Sequence, residues 1–416
     1  MPRLSRRKFL KGTAGVSAMA MTALSYGRVV GANDRILLGQ IGCGDRGCRA
    51  HMVGIHKHDA AQNVQYIAVA DPWRVSRENG VKLIKEWCGR DAKQMASYRD
   101  LLAIKEIDAV MIASPDYHHT THLEAAARAG KHVYVEKPMA MRLDRLLSAY
   151  DAVKQAGVIV QVGTQSRSQP SSFGLRALWK SGVLGKASRI EQARNGEKPY
   201  WYHYLKKDVR KEDVDWDEFL MDLPKRPFDA NLFSGWYGYR ELSDGPIPNL
   251  GAHFVDLVHF ITGATFPTSC VCLGRTSTWN DDYHFTCPDN VEALWTYPEG
   301  FVMSYSSDFG NGTGNRLDFC CDKGTLKMEA LWGKATYSEL GGPHRDGKIR
   351  GEHHVEPIEC PDHFLDWLQC LRSGKTPVAP IEAGLHHSIA VLMAMQSFDS
   401  GRRTIYDPQK RTIVEG

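Results

Sequence analysis

Residues 39–51 read Gly-Gln-Ile-Gly-Cys-Gly-Asp-Arg-Gly-Cys-Arg-Ala-His. The short apolar run 35–41 leads into Gly42, and a helix-like segment follows through His51 and Met52. The glycines at 42, 44 and 47 thus form Gly-x-Gly-x-x-Gly in a strand-turn-helix setting. Gly42 permits the tight turn, Gly44 lets the backbone approach a pyrophosphate, and Gly47 lets helix and strand pack closely. The helix amino terminus offers unpaired N–H groups to the anion. Glycines also collect in flexible turns, so the motif draws its meaning from what lies around it.

A second apolar run, 64–70, ends in Asp71, where a carboxylate accepts hydrogen bonds from an adenine-ribose diol. A negative charge there favours NAD over NADP. Arg74, three residues on, offers a countercharge that leaves NADP possible. The alternative reading of Asp71 is a solvated turn residue before Pro72. Further strands at 109–113, 132–135 and 158–162 alternate with helical stretches at 123–129 and 144–156. This alternation predicts an α/β Rossmann-type domain over residues 33–162 with a doubly wound parallel sheet. Ser114-Pro115 and Glu136-Lys137-Pro138 follow strand ends, the edge at which such sheets bind ligands. From residue 163 the pattern changes to aromatic loops and then to successive strands at 269–273, 291–297, 301–306, 316–321 and 324–328. Strands without intervening helices predict an α+β domain over 163–416 with an open, mostly antiparallel sheet.

The amino terminus has a different character. Residues 1–32 hold six basic residues, no acidic ones, and an apolar stretch too short to span a bilayer. Arg6-Arg7 within Ser-Arg-Arg-Lys-Phe-Leu-Lys resembles a twin-arginine signal. A signal peptide over 1–32 is expected, cleaved after Ala32, with a periplasmic or otherwise exported product that keeps no membrane anchor. The formal charge of +4 becomes −2 without those residues, so the basicity is no argument for a nucleic-acid partner. The ten cysteines show no disulfide framework and no zinc-type spacing. Mostly free, buried thiols are expected, as for a protein folded in a reducing cytoplasm before export.

Three stretches carry a resemblance to a known family. GQIGCGDRGCRAH is similar to the first glycine loop of the Gfo/Idh/MocA oxidoreductases, SPDYHH to their second cofactor loop, and AGKHVYVEKPMA to their Glu-Lys-Pro signature. The resemblance continues to DHFLDWLQCLRSGKTP. It implies NAD as cofactor, held by Gly42, Gly44, Asp45, Arg46, Gly47, Asp71, Ser114, Pro115, His119, Glu136 and Lys137. It also implies a homo-oligomer, dimer or tetramer, formed through the second domain's sheet. Ser243-Asp-Gly-Pro-Ile-Pro-Asn249-Leu-Gly-Ala-His253 resembles the family's catalytic pattern of three glycines, Asp and His. Ser243 and Asp244 replace two of the glycines, and Asn249 replaces the Asp.

A hydride leaves a secondary alcohol only as its O–H proton is taken, so such a site needs a base and a polarising donor. By the resemblance Lys137 holds the hydroxyl, His253 takes its proton, and Asn249, which cannot exchange protons, orients His253 or the substrate. Lysine suits this place because burial lowers its pKa toward neutrality. Substrate contacts are expected from Arg167, Tyr202, Trp236, Tyr237, Asn249 and His253, the aromatic rings as a sugar platform or as ordinary core. His253, Asp256 and His259 spread over about 120° of a helix, wider than His-x-x-x-His, and no metal is assigned. The expected activity is NAD(P)-dependent oxidation or reduction of a secondary hydroxyl of a sugar, cyclitol or glycoside, with a tightly bound, recycled cofactor. The alternative is an NAD-dependent glycoside-cleaving enzyme that oxidises the sugar transiently.

Overall fold

The apolar runs pair into two sheets. In the computed structural model, which describes residues 34–416 apart from 207, 329, 330 and 332, the first contains β1 (Ile36–Ile41), β2 (Val64–Ala70), β3 (Lys93–Met95), β4 (Ala109–Ile112), β5 (His132–Val135) and β6 (Val160–Val162). The signal peptide expected at 1–32 lies outside the described residues. The strands run parallel in the order β3-β2-β1-β4-β5-β6. The strands β4 and β5 are buried at every position because helices cover both faces, which is why they read as unbroken apolar runs. Register aligns the strand ends: Ile41 lies beside both Ala70 and Ile112, and Ile112 beside Val135. The loops carrying Gly42, Asp71, Ser114 and Glu136 therefore meet on one rim, at the point where the strand order reverses.

The second sheet contains β7 (Ala187–Gly196), β8 (Ser269–Arg275), β9 (Asn290–Thr296), β10 (Val302–Asp308), β11 (Asn311–Cys321), β12 (Thr325–Met328), β13 (Ala335–Ser338), β14 (Glu352–His354), β15 (Thr404–Asp407) and β16 (Thr412–Glu415). Its order is β14-β13-β12-β11-β7-β10-β9-β8-β15-β16. Among the pairings, β7 with β10 is parallel and the others are antiparallel. In β9, Val291, Ala293 and Trp295 face the core while Glu292, Leu294 and Thr296 face outward, the period of two that a one-sided sheet requires. The helices Ala252–Thr262 and Ile381–Ser400 are buried nearly all round, in keeping with their Ala, Leu, Val and Met content. Among the described residues, no helix is long and apolar enough to cross a membrane.

The division at residue 163 needs one correction. The helix Asp362 caps, His363–Ser373, returns to the first domain: Trp367, Leu368, Cys370 and Leu371 share a core with Ile36, Leu38, Met52 and Tyr134. His363 is tied by its carbonyl to Gln161 and by Nε2 to the Val162 carbonyl at 2.9 Å. Apolar residues spaced around a helix do not reveal which of two cores they enter. All ten cysteines are free thiols, seven of them buried.

Candidate active site

The glycine loop is shaped by two contacts and one space. Gly42 has φ +84°, and a Cβ there would press on the Ala113 carbonyl at 2.5 Å and the Ser114 nitrogen at 2.6 Å. A Cβ on Gly47 would overlap the Gly42 carbonyl. A Cβ on Gly44 would meet nothing within 4 Å, so no protein group demands glycine at that position. It borders a cavity of about 340 Å³ lined also by Gly42, Asp45, Arg46, Asp71, Ser114, Pro115, Trp236 and Tyr237. Residues Asp45–Met52 form wide helical turns whose amino end faces this space. A backbone cradle kept open at Gly44, at a helix amino terminus, fits a dinucleotide pyrophosphate.

At the far end of the cavity, Asp71 accepts from the Cys43 nitrogen at 2.7 Å and from the Trp73 nitrogen at 2.8 Å. Burial pushes its pKa up while those N–H groups oppose the shift. Arg74 points elsewhere. It grips Asp213 through Nε and Nη2 at 3.1 and 2.6 Å and Glu78 through Nη1 at 2.6 Å. Its charge is thus matched by two carboxylates in this arrangement.

At the other end, Arg46 connects the cavity wall to the Glu-Lys-Pro segment. Its Nε meets Glu136 Oε1 at 2.6 Å, where His51 Nε2 at 2.8 Å and Gln165 Nε2 at 3.0 Å converge. Burial alone would raise the Glu136 pKa, but Arg46, His51 and Lys137 outweigh it and hold the carboxylate well below its usual range. Next to it, Lys137 donates from Nζ to the Asn249 carbonyl at 2.7 Å. Burial lowers the Lys137 pKa against the pull of Asp116 and Glu136. The helix Ala252–Thr262 presents His253, whose pKa burial drives well below the ordinary value, with the Lys137 charge acting in the same direction. His253 thus stands neutral, able to accept a hydrogen bond. Lysine from one domain and histidine from the other are thus close enough for the charge of one to act on the other, and Arg46, which lines the cavity, holds Glu136 next to that lysine.

Other expected site residues lie elsewhere. Arg167 is locked into a bidentate pair with Asp256 at 2.7 and 2.8 Å, and His387 Nδ1 approaches the same carboxylate at 3.3 Å. Arg167 is a structural ion-pair partner in this arrangement, and Asp256 belongs to that pair. Arg167→Ala is expected to destabilise the fold by about 3–5 kcal/mol, the cost of leaving a buried charge without its partner, as read by urea denaturation. Burial alone would raise the Asp256 pKa, but Arg167 and His387 hold it far below the usual range. The stabilisation is therefore present above an unfolded carboxylate's pKa of about 4 and fades as pH falls toward the lowered folded value. Tyr202 turns from the cavity to Asp281, 2.6 Å from its hydroxyl, among Trp279, Tyr283 and Phe285. Trp236 and Tyr237 stack at 3.6 Å on the cavity wall, with Tyr204 beside them. His119 clamps two loops together, Nδ1 at 2.7 Å from the Pro138 carbonyl and Nε2 at 2.9 Å from the Ser114 carbonyl, whereas His118 and His122 line the cavity.

Asp116 and Ser243 were missed as site residues. Asp116 stands inside the quoted SPDYHH stretch, and Ser243 is one of the departures from the three-glycine pattern. Asp116 is 3% exposed, and its Oδ2 accepts from Ser243 Oγ at 2.8 Å and Asn249 Nδ2 at 3.1 Å. Among the described residues, no group of three or more His, Cys, Asp or Glu is placed to hold a metal ion.

Comparison with known proteins finds relatives over parts of the chain and similar folds over most of it. A scyllo-inositol 2-dehydrogenase (NAD(+)) of Bacillus subtilis is 31% identical over 125 residues, 29% of this chain and 34% of that protein. A glycosyl hydrolase family 109 protein of Shewanella sp. strain ANA-3 is 32% identical over 178 residues, 37% of this chain and 38% of that protein. The chain thus spans well under half the length of these relatives. In fold it is similar to a crystal structure of aldose-aldose oxidoreductase from Caulobacter crescentus in complex with glycerol, with TM-score 0.67 and 19% identity over 89% of this chain and 99% of that one. Residues 36–164 match the oxidoreductase family with an NAD-binding Rossmann fold, and residues 219–327 match the GFO/IDH/MocA C-terminal domain. With both halves of its architecture matched, and with the glycine loop and the Glu-Lys-Pro segment joined within the first through Arg46 and Glu136, the chain belongs to the Gfo/Idh/MocA oxidoreductase family.

Proposed function

We propose that this protein is an NAD-dependent oxidoreductase acting on a secondary hydroxyl of a sugar, cyclitol or glycoside. The observation that carries this reading is the meeting of Lys137 with Asn249 and of neutral His253 with the Lys137 charge, next to Glu136, which Arg46 on the wall of the dinucleotide-suited cavity holds. When bound, the nicotinamide supplies a hydride acceptor and donor. The protein's share is to bind, orient and move protons. The backbone at Gly44 and the Asp45–Met52 amino end cradle the pyrophosphate, and Asp71 takes the ribose diol. Lys137 holds the reacting hydroxyl, and its lowered pKa lets it share a proton instead of only presenting a charge. Neutral His253 accepts a hydrogen bond that orients the hydroxyl, and the Trp236–Tyr237 stack offers a flat apolar face to a pyranose ring.

A second reading is redox-neutral glycoside cleavage through transient oxidation, favoured by the likeness to the glycosyl hydrolase family 109 protein. The two are separated by incubating the purified protein with a carbohydrate panel, following nucleotide absorbance, and analysing products by mass spectrometry. An oxidised sugar is the expected product; a free aglycone with no net redox change would select cleavage, and neither product would overturn both.

We also propose that the chain is exported folded through its twin-arginine stretch, a reading supported by Arg6-Arg7 and the apolar run after them. Assembly is proposed through the open face of the second sheet, where Val271, Leu273, Leu294 and Val302 are exposed. Val271 and Leu294 are direct cross-strand neighbours there.

A further inference from the structure

For each hydride removed from an alcohol, one proton must also leave the reacting centre. We propose that Asp116 is the carboxylate that takes up and returns this proton, in the place where Asn249 offers only an amide. The inference rests on the oxidoreductase reading above.

The carboxylate's surroundings set it apart. Other buried acids of this protein are compensated by cations or by backbone N–H groups. Asp256 has the Arg167 guanidinium, and Asp213 has Arg74 and Arg210. Asp289 accepts from the nitrogens of Ser277, Thr278 and Trp279 at 2.7–2.8 Å. Asp116 is equally buried but takes its hydrogen bonds from a neutral hydroxyl and a neutral amide, both on the same oxygen, Oδ2. Two neutral donors stabilise an anion less than a guanidinium does, so the protonated form competes. Burial raises its pKa to about 7, Lys137 opposing this and Glu136 adding to it. The phenols of Tyr200 and Tyr237 and the Cys287 thiol also face it and stay protonated, their own pKa values raised by burial. A carboxyl group poised near neutrality beside a lysine is suited to acid-base work in both directions.

The geometry also explains two departures from the family's catalytic pattern together. Ser243 replaces a glycine and Asn249 replaces an aspartate, and both side chains donate to Asp116. The carboxylate has in effect moved from the second domain to the SPDYHH loop of the first, and the amide marks its former place. In the oxidising direction a bound nicotinamide would accept the C–H electron pair as hydride, while the O–H bond breaks and the C=O bond forms. Lys137 gives one of its protons to Asp116, whose carboxylate becomes a carboxylic acid, as it takes the hydroxyl proton in exchange. Carbonyl reduction runs the same path backward. Oxidation therefore needs Asp116 ionised and slows as pH falls below about 7, while reduction needs it protonated and slows as pH rises above that value.

Two measurements test this. The first uses the nucleotide-loaded protein without carbohydrate: infrared difference titration between about pH 5 and 9 should show a protonated carboxyl C=O band that titrates near neutrality and is missing in Asp116→Asn. The second uses turnover of the carbohydrate identified by the panel. Asp116→Asn should lose about 10²- to 10⁴-fold in kcat/KM together with the neutral pH limb. The swap Asp116→Asn with Asn249→Asp should recover at least about a tenth of the wild-type rate, because it returns a carboxylate to the same hydrogen-bonded pair. The swap also covers the case in which Asp116→Asn alone folds poorly. A neutral carboxyl band unchanged in Asp116→Asn, or a wild-type pH profile in that variant, would overturn the proposal. If no carbohydrate is turned over, the oxidoreductase reading fails by itself, and the infrared band still decides whether Asp116 exchanges a proton.

Discussion

Lys137→Ala is expected to abolish turnover, by about 10⁴-fold or more, while the nucleotide stays bound. That magnitude combines the loss of a proton-exchanging group with the loss of a charged donor at the reacting oxygen. Binding should survive because the cavity wall is made by other residues: the Gly42–Gly44 backbone, Asp71, Ser114 and Pro115, none of which depends on the Lys137 side chain. Lys137 Nζ is held by the Asn249 carbonyl at 2.7 Å, so its removal leaves an acceptor unpaired at the domain junction without opening the cofactor cradle. Lys137→Arg should fail almost as completely, since a guanidinium keeps its proton and cannot take part in transfer. The check is single-turnover kinetics beside a nucleotide assay of the same sample: kcat collapses, KM moves little, and the nucleotide per chain is unchanged. Near wild-type rates in Lys137→Ala would remove the lysine from the reaction, and loss of nucleotide would instead make it a binding residue.

The parts of this site that were legible in the sequence are those whose chemistry is local. The loop at 42–47 could be read because each glycine answers to a contact or a space within a few residues of it. The strands β2 and β5 could be read because burial on both faces leaves a continuous apolar run ending at a polar residue, Asp71 or Glu136. The strand β7 could not, since Ser188, Arg189 and Glu191 interrupt any alternation, yet it lies in the middle of the second sheet, between β11 and β10. Its pairing comes from neighbours more than a hundred residues away, which no local pattern encodes. Arg167 misled for the same reason: a charged residue just past the cofactor loops looks like a substrate contact until Asp256 and His387 are brought to it by two other helices. Asp116 was hidden by its setting in a cofactor loop, where an aspartate before aromatic and histidine residues reads as a turn former. Its role emerges only when Ser243 and Asn249, more than a hundred residues on, close around it.

After exhaustive dialysis the purified protein is expected to retain close to one nucleotide per chain and to need no added NAD. The physical basis is a strap formed by residues 210–219 of the second domain across the adenosine end of the cavity. Trp73 and Val214 form an antiparallel bridge, and the Asp215 nitrogen donates to the Pro72 carbonyl at 2.9 Å. Asp213 is gripped by Arg74 and Arg210, Glu218 accepts from Ser97 Oγ at 3.0 Å and from Arg99 at 3.2 Å, and the Phe219 carbonyl meets Tyr117 and His118. The strap is thus fastened on three loops that border the cavity, and release of a dinucleotide requires several of these ties to part together. Such retention fits the proposed export, since a cofactor lost outside the cytoplasm would not be replaced. The catalytic cycle then closes on one nucleotide, reduced by one substrate and reoxidised by a second or by the oxidised product. Asp213→Ala removes the tie to Arg74 together with the Arg210 pair that braces the strap internally and should raise the nucleotide off-rate by about an order of magnitude, as truncating one side of a paired charge acts mainly on dissociation. Lys137→Ala should leave that off-rate untouched, which separates holding the cofactor from using it. A wild-type protein that purifies empty, with a rate that saturates in added NAD, would show that the strap does not trap the nucleotide and would leave the export reading without its functional rationale.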